Sequence, residues 1–189
     1  MGNRFAELAF SPAAKELQRA HGSARQYDRM QEYGPSNSVL GPAEAEFIGA
    51  RDSFYIATVN ENGWPYVQHR GGPKGFLRVL DEKRLAFPDF RGNSQYISVG
   101  NATVNDKAAL FLMDYPNQTR LKILGHLTAE DLAEYPQVRL PGYRAIPERA
   151  LVLRVEAFDW NCPQHITPRY TEEELALAGF VRGNGDKRM

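Results

Sequence analysis

The most unusual run of chemically capable residues is a stretch of glycines and cationic side chains, Gln68 to Gly75 (QHRGGPKG). Glycine lets a backbone approach a ligand closely, and backbone N–H groups together with Arg70 and Lys74 suit a phosphate group. A glycine-rich bulge with solvated charges explains the same residues, because glycine also serves the corners of β-barrels. On its own, this stretch favours the structural interpretation.

A second candidate, Phe87 to Ser94 (FPDFRGNS), follows a predicted strand and leads into a short helix predicted around residues 94–99. Asn93 or Ser94 can cap that helix, and exposed N–H groups at a helix start favour an anion. A helix cap without a ligand explains this stretch, taken alone, better than a binding site does.

A third candidate, Asn117 to Lys122 (NQTRLK), contains two side chains with several hydrogen-bonding groups. Gln118 and Arg120 can hydrogen-bond the edge of a heteroaromatic ring or a phosphate. Alternating Arg and Lys residues more often form the solvated face of a strand, and that interpretation stays open beside the binding site.

A fourth candidate, Asp159 to Tyr170 (DWNCPQHITPRY), concentrates Trp, Cys, His and Arg in one loop, where functional residues often lie. Trp160 alone is most often a core residue, and His165 alone is most often a structural histidine. Cys162 has no neighbour that completes a catalytic pattern, which favours a buried, inert thiol.

The charge balance limits the kinds of partner. The 23 basic and 23 acidic residues give zero net charge, which argues against a protein that coats nucleic acid or an anionic membrane. Residues 64–125 nevertheless contain nine Lys or Arg and five Asp or Glu, and the first three candidates lie there. A small phosphate ester therefore fits this segment. The single cysteine excludes an intramolecular disulfide and a multi-cysteine metal cage, and no metal site is predicted.

Familiar signatures of other classes are missing from the sequence. It contains no Walker loop, GxGxxG, HExxH or GxSxG motif and no strand–helix alternation, so common nucleotide-binding and hydrolase folds have no support. The N-terminal MGNRFAELAF has no signal-peptide core, and no stretch approaches the ~18–20 apolar residues of a membrane span. We therefore expect a cytoplasmic protein of one domain.

The elements that must position the candidates are mainly short strands. The predicted strands are 53–60, 65–70, 76–80, 84–87, 107–113, 119–127 and 150–158. Turn signals such as Asn62-Gly63 separate them, which favours a closed or nearly closed antiparallel barrel. Segments 11–20, 42–51 and 171–178 are predicted helices, whereas residues 22–38 are predicted to be a polar loop.

The run from Ser53 to Leu127 resembles the pyridoxamine 5′-phosphate oxidase-like group of FMN-binding split barrels. SFYIATVNENGWPYVQHRGG, GFLRVLDEKRLAFPDFRGN and TRLKILGHL carry the resemblance, and DWNCPQHITPRY is similar to the tail of a predicted flavin-nucleotide-binding subgroup. The resemblance implies a mainly β fold, an antiparallel six-stranded split β-barrel with flanking helices. Together with the residue patterns at the two ends, it predicts a helical or irregular N-terminal extension (1–40), an FMN-binding split-barrel domain (41–180) and a flexible tail (181–189).

The family works as a homodimer with FMN at the subunit interface, and the resemblance carries its contacts over by position. The implied cofactor-binding residues are His69, Arg70, Gly71, Gly72, Lys74, Pro88, Asp89, Arg91, Asn93, Ser94, Gln118, Arg120 and Trp160. Among these, Arg91, Asn93 and Ser94 would bind the phosphate, and Gln118 and Arg120 would approach from the partner subunit. His165 and Arg169 are the implied catalytic candidates, in a C-terminal loop that closes over flavin or substrate.

Two departures from the authentic oxidase shape the functional prediction. Gly71-Gly72-Pro73 replaces a longer basic and apolar run, and His165 and Arg169 are spaced differently from the oxidase's substrate-binding pair. The residues therefore support FMN binding better than oxidation of pyridoxamine phosphate. We expect an FMN-dependent oxidoreductase acting on an unidentified small molecule or electron donor.

Other functions remain open at this point. One is a non-catalytic flavin-binding or sensing module built from the same loops. Another is a split barrel that uses a deazaflavin or haem, with His69 or His165 as the iron ligand. A third is a structural protein whose glycine-rich loops are only barrel corners.

Overall fold

The computed structural model describes residues 2–160 and 164–180. Its strands are β1 (Ser53–Val59), β2 (Pro65–Gly71), β3 (Arg78–Asp81), β4 (Arg84–Phe90), β5 (Lys107–Asp114), β6 (Thr119–Glu130) and β7 (Pro147–Trp160). They form one antiparallel sheet in the order β2-β1-β5-β6-β7-β4-β3. Cys162 and the predicted tail 181–189 lie outside the described residues.

The sheet confirms the mainly β, antiparallel fold with flanking helices. Each of the seven strands coincides with a predicted strand segment, whereas the family resemblance implied six. The additional strand is the short β3, which pairs only with β4 among the described strands and so lies at one side of the sheet. On the other side, β2 is the outermost strand.

The alternation of side chains along β1 and β5 separates a buried face from an open one. Phe54 and Ile56 of β1 are fully buried, whereas Tyr55 between them is 40% exposed. Phe54 stacks on Phe76 with the ring centroids 5.6 Å apart and meets Phe87 edge-on at 5.0 Å. The sequence indicated strands that are apolar on both faces, but on the outer face of β1 and β2 the described residues leave Tyr55 and Val67 exposed.

Helices flank the sheet, and most of them precede its first strand in the sequence. They are α1 (Arg4–Ala9), α2 (Pro12–Ala20), α3 (Ala24–Tyr33), α4 (Pro42–Gly49), α5 (Ile97–Val104) and α6 (Glu172–Leu177), with a 3₁₀ turn at Pro136–Val138. The predicted caps of α2 and α6 are present, because the side chains of Ser11 and Thr171 accept backbone N–H bonds. No helix in the described part of the chain has the length and apolar character needed to cross a membrane.

Two helix predictions were wrong. Residues 22–38 are not a loop throughout, because α3 occupies Ala24–Tyr33 and sets Tyr27 against Phe10 with the ring centroids 5.2 Å apart. This tertiary contact supports a helix whose polar composition hides it. The helix predicted around 94–99 begins later, at Ile97, because Ser94 and Tyr96 have φ values of 59° and 50° and so lie outside the right-handed helical region.

The N-terminal segment is joined to the sheet through one buried asparagine. The backbone N–H of Phe158 in β7 donates to the Asn37 carbonyl at 2.8 Å, and Asn37 Nδ2 donates to the Phe158 carbonyl. Asn37 Oδ1 also accepts from the Phe5 N–H of α1 at 3.2 Å. Asn37 therefore holds α1 and β7 together.

Candidate functional site

A cleft lies between β2, β4 and the start of α5. Its lining is largely polar and includes Gln68, Arg70, Asp89, Asn93, Ser94 and Ser98. The alternation of β2 directs Gln68 and Arg70 to this side, because they pair with the inward-facing Ile56 and Phe54 of β1. We call this feature the cleft.

Arg70 and Asp89 form the most buried ion pair of the cleft. Arg70 Nη1 donates to Asp89 Oδ1 at 2.6 Å, and the two side chains are only 14% and 9% exposed. The Nε of Arg70 is also buried but has no hydrogen-bond partner within residues 2–160 and 164–180. An unpaired buried donor costs free energy, so this guanidinium retains capacity for an oxyanion.

The start of α5 borders the cleft with backbone N–H groups that no side chain caps. Tyr96 occupies the N-cap position, and Ile97, Ser98 and Val99 of the first turn line the cleft. The first N–H groups of a helix have no partner within the helix and favour negative charge. The cleft therefore combines a guanidinium with a helix start.

One buried and one partly buried hydrogen bond fix α5 against the sheet. Ser98 Oγ donates to Gln68 Oε1 at 2.9 Å, and Asn101 Nδ2 donates to Thr58 Oγ1 at 2.9 Å. Gln68 and Ser98 lie in or beside the candidate stretches, but neither was predicted as a binding residue, and no motif marks Asn101 or Thr58. Alternation along β2 could have shown that Gln68 shares a face with Arg70, but the contacts from α5 depend on tertiary packing.

The remaining predicted phosphate ligands differ in exposure. Asn93 and Ser94 line the cleft and are exposed, as is Arg91, whose Nε donates to Glu148 at 3.0 Å. Neither Asn93 nor Ser94 caps α5, contrary to prediction, since α5 starts after the left-handed Tyr96. Lys74 is exposed in the connection after β2.

His69, Gly71, Gly72 and Pro88 do not line the cleft, and three of them have clear structural surroundings. A Cβ on Gly72 would lie 2.7 Å from the Phe76 ring, so close packing requires a glycine there. Pro88 is buried in β4 opposite Ala150. His69 faces the opposite side of β2 from Arg70, with its ring 5.5 Å from Tyr55.

The predicted residues of the third and fourth candidates lie in a region separate from the cleft. We call this region, which also contains α4, the α4 end. Trp160 Nε1 donates to Glu44 Oε1 of α4 at 2.8 Å, and its ring meets Phe47 edge-on at 4.8 Å. Gln118 Nε2 donates to the Ile166 carbonyl at 2.6 Å. Gln118, Arg120, Trp160, His165 and Arg169 do not line the cleft, and the structure does not bring them to Arg70.

Ion pairing also organises the α4 end. Arg51 follows α4, pairs with Asp114 at 2.9 Å and donates to the Met113 carbonyl at 3.1 Å. Burial acts to raise the pKa of Asp114, but hydrogen bonds from Asn117 and the Arg51 guanidinium outweigh it and hold the pKa below its ordinary value. This carboxylate is therefore a structural anion.

Two further groups have perturbed pKa values. Burial raises the pKa of Asp159 against the opposing charges of Lys122 and Arg120. Burial and a hydrogen bond to Tyr55 raise the pKa of Tyr115, above whose ring Arg169 lies at 5.0 Å. Neither group belongs to the cleft. Among residues 2–160 and 164–180, no three His, Cys, Asp or Glu side chains cluster in a way that could hold a metal ion.

The open face of the sheet carries a continuous apolar surface. Its members come from β1, β2, β5 and β6: Tyr55, Ala57, Val67, Ala109, Phe111 and Leu124. Val67 is 62% and Tyr55 40% exposed, and the other four are half-buried. A contiguous apolar patch of this kind is typical of a surface that another protein covers.

Comparison with solved structures shows the split-barrel fold. HupZ from Group A Streptococcus matches with 14% identity and a TM-score of 0.50, covering 69% of this chain and 99% of that one. A single-residue variant of HupZ matches with 16% identity and a TM-score of 0.51, covering 65% and 99%. A putative pyridoxamine 5′-phosphate oxidase from Lactobacillus delbrueckii is 22% identical, with a TM-score of 0.49 and coverage of 65% and 94%.

The family assignment comes from the sequence itself. No curated protein matches the chain. Residues 40–157, more than half of the chain, match the family described as pyridoxamine 5′-phosphate oxidase. The match contains β1 to β6, most of β7 and every residue of the cleft, and it confirms the resemblance drawn from the sequence motifs. The chain belongs to the pyridoxamine 5′-phosphate oxidase family.

Proposed function

We propose that this protein binds FMN and that the cleft holds the FMN phosphate. The observation that carries the proposal is the Arg70 guanidinium, which is anchored by Asp89 on one side and keeps a buried Nε without a partner. A phosphate oxygen would satisfy this donor with a charge-assisted hydrogen bond. Family membership supports the same ligand class.

The cleft supplies further groups suited to a phosphate ester. Asn93 and Ser94 offer exposed polar side chains, and the uncapped start of α5 offers backbone N–H groups. FMN supplies the redox chemistry when it is bound. The chain's own residues bind and orient the ligand, and the proposal needs no protein nucleophile.

The proposed working unit is a homodimer. The apolar surface on the open face of the sheet supports this, since a second copy would remove Tyr55, Val67 and Phe111 from water. The α4 end supports it as well, because Gln118 and Arg120 lie outside the cleft of their own chain. In a dimer they would approach the flavin of the partner.

We further propose an oxidoreductase acting on an unidentified small molecule, with His165 and Arg169 on the substrate side. Family membership supports this reaction class. A non-catalytic flavin-binding module is the second candidate, favoured by the position of His165 and Arg169 outside the cleft. Reduced flavin that passes electrons only to oxygen, with no organic substrate accelerating the reaction, would favour the module.

Spectroscopy of the purified protein tests the proposal first. We expect a flavin absorbance spectrum and release of FMN on denaturation, identified by mass spectrometry. Apoprotein should quench FMN fluorescence on titration, with riboflavin bound more weakly because it lacks the phosphate. Colourless protein that does not respond to added FMN would contradict the proposal, and a Soret band would indicate haem instead. Light scattering tests the dimer, and a flavin-saturated monomer would contradict it.

A further inference from the structure

Charged residues from three strands and one loop form an alternating chain beside the cleft, which Arg70, Asp89 and Glu148 of this chain line. Beyond the pair of Arg70 and Asp89, the second carboxylate oxygen of Asp89 lies 3.5 Å from Nε of Arg149 on β7. Arg149 Nη2 donates to Glu148 Oε2 at 3.4 Å, and Glu148 Oε1 accepts from Arg91 Nε at 3.0 Å. We call these five residues the charge ladder.

The charge ladder has a small positive surplus. Three guanidinium groups face two carboxylates, so one positive charge remains. Asp89 is nearly buried and carries its negative charge into the cleft, where it would oppose an incoming phosphate. Arg149 is the second cation beside Asp89. Because Asp89 is shared between two guanidinium groups, it neutralises less of the positive charge of Arg70.

Arg149 also contacts the residue that starts α5. Its Cζ lies 5.1 Å from the centroid of the Tyr96 ring, within cation–π range. Tyr96 has a φ of 50°, a left-handed conformation that a bulky residue adopts only when its surroundings hold it. The Arg149–Tyr96 contact therefore connects the charge ladder to the first turn of α5.

We propose that Arg149 is a positioning residue of the phosphate subsite. It offsets the charge of Asp89 and holds Tyr96, so that Arg70 and the start of α5 face a single anion together. The inference rests on the proposed FMN function and extends it, because it adds a strand, β7, that contributed no residue to the predicted phosphate site.

Paired titrations with FMN and riboflavin test this role, because the two ligands differ only in the phosphate. We expect Arg149→Met to lower FMN affinity about tenfold, less than the loss of a direct charged contact, because Arg149 acts through Asp89 and Tyr96. Riboflavin affinity should not change. Arg149→Lys should lie between wild type and Arg149→Met, since lysine keeps the charge but lacks the planar guanidinium. Tyr96→Ala should also weaken FMN binding selectively, by less than Arg149→Met.

Arg84→Met is the matched control, because Arg84 forms an exposed ion pair with Asp81 at 2.7 Å and does not line the cleft. It should leave both affinities unchanged. Equal losses for FMN and riboflavin in the Arg149 variants, or no loss, would overturn the positioning role. Wild-type protein that binds neither flavin would instead contradict the proposed function. If Arg149→Met does not fold, Arg149→Lys and Tyr96→Ala decide between the same outcomes.

Discussion

The cleft and the α4 end contain similar polar side chains whose hydrogen bonds are satisfied to different degrees. In the cleft, Arg70 keeps a buried donor without a partner, and α5 begins without a side-chain cap. At the α4 end, the indole N–H of Trp160 and the amide of Gln118 both donate to acceptors within the chain. The chain thus uses the second region to hold itself together and leaves the first one available.

Residue type alone therefore does not identify a binding residue. A polar group that the fold already satisfies is less available to a ligand, whereas a buried unsatisfied donor needs an explanation. Arg120 differs from Trp160 and Gln118, because its buried Nε has no hydrogen-bond partner among the described residues. This unsatisfied donor supports its proposed approach to a second protomer.

The largest effect on stability should come from the α4 end. Arg51→Met would leave Asp114 buried without its cation, and we expect the free energy of unfolding to fall by about 3 kcal/mol. Chemical denaturation measures this change, and FMN affinity should remain as in wild type. Because the folded-state pKa of Asp114 is lowered, the stabilisation is present above the ordinary carboxyl pKa and is lost as the pH falls through its lowered value. A loss that persists in acid would contradict this explanation.

The cleft should give the next largest effect, on binding. We expect Arg70→Met to weaken FMN binding by about 30-fold, equivalent to about 2 kcal/mol for a lost charged contact. Asp89 keeps Arg149 nearby, so the folded protein should survive the change. Fluorescence titration measures the affinity, and Arg91→Met is the comparison, with a smaller loss expected because Arg91 is 64% exposed. Unchanged affinity in Arg70→Met would remove the distinction between the two regions.

Trp160→Phe tests whether the α4 end is structural. Phenylalanine retains an aromatic ring for Phe47 but loses the hydrogen bond to Glu44, so we expect about 1 kcal/mol lower stability. Thermal or urea unfolding measures it. A large loss of flavin affinity with little loss of stability would instead place Trp160 at the flavin, as the family resemblance implied.

The smallest effect should be a gain. Burial raises the folded-state pKa of Asp159, so its ionised form opposes folding at neutral pH. Asp159→Asn should therefore raise stability slightly at pH 7, and the gain should disappear below the ordinary carboxyl pKa, where the wild-type residue is protonated in both states. Lower stability of Asp159→Asn at neutral pH would show that the ion pair with Lys122, 4.0 Å away, outweighs burial.

The sequence predicted the strands well because their signal is local. Leu151, Leu153 and Val155 alternate with Arg154 and Glu156, and this two-residue alternation can be recognised without knowledge of tertiary contacts. The helix α3 was missed because its apolar contact, between Tyr27 and Phe10, joins residues far apart in the chain. The late start of α5 was missed because a left-handed Tyr96 has no compositional signal.

Several individual residues of the site could be predicted from the sequence, but the contacts between them could not. Arg70 and Asp89 were both predicted, yet their ion pair depends on how β2 and β4 face each other in the folded sheet. Arg149 and Tyr96 had no motif to mark them, because their contact joins β7 to the residue before α5. The domain boundaries and the assignment of each residue to FMN remain predictions.

The attachment of Asn37 to Phe158 has a consequence for any shortened form of the protein. The family match begins at residue 40. On this side of β7, β4 pairs only as far as Arg154, and beyond it the backbone of Phe158 bonds to Asn37 instead of to a strand. A fragment starting at Leu40 would expose that stretch of backbone. Exposed strand edges recruit other strands, so such a fragment would be prone to aggregate even with every cleft residue intact.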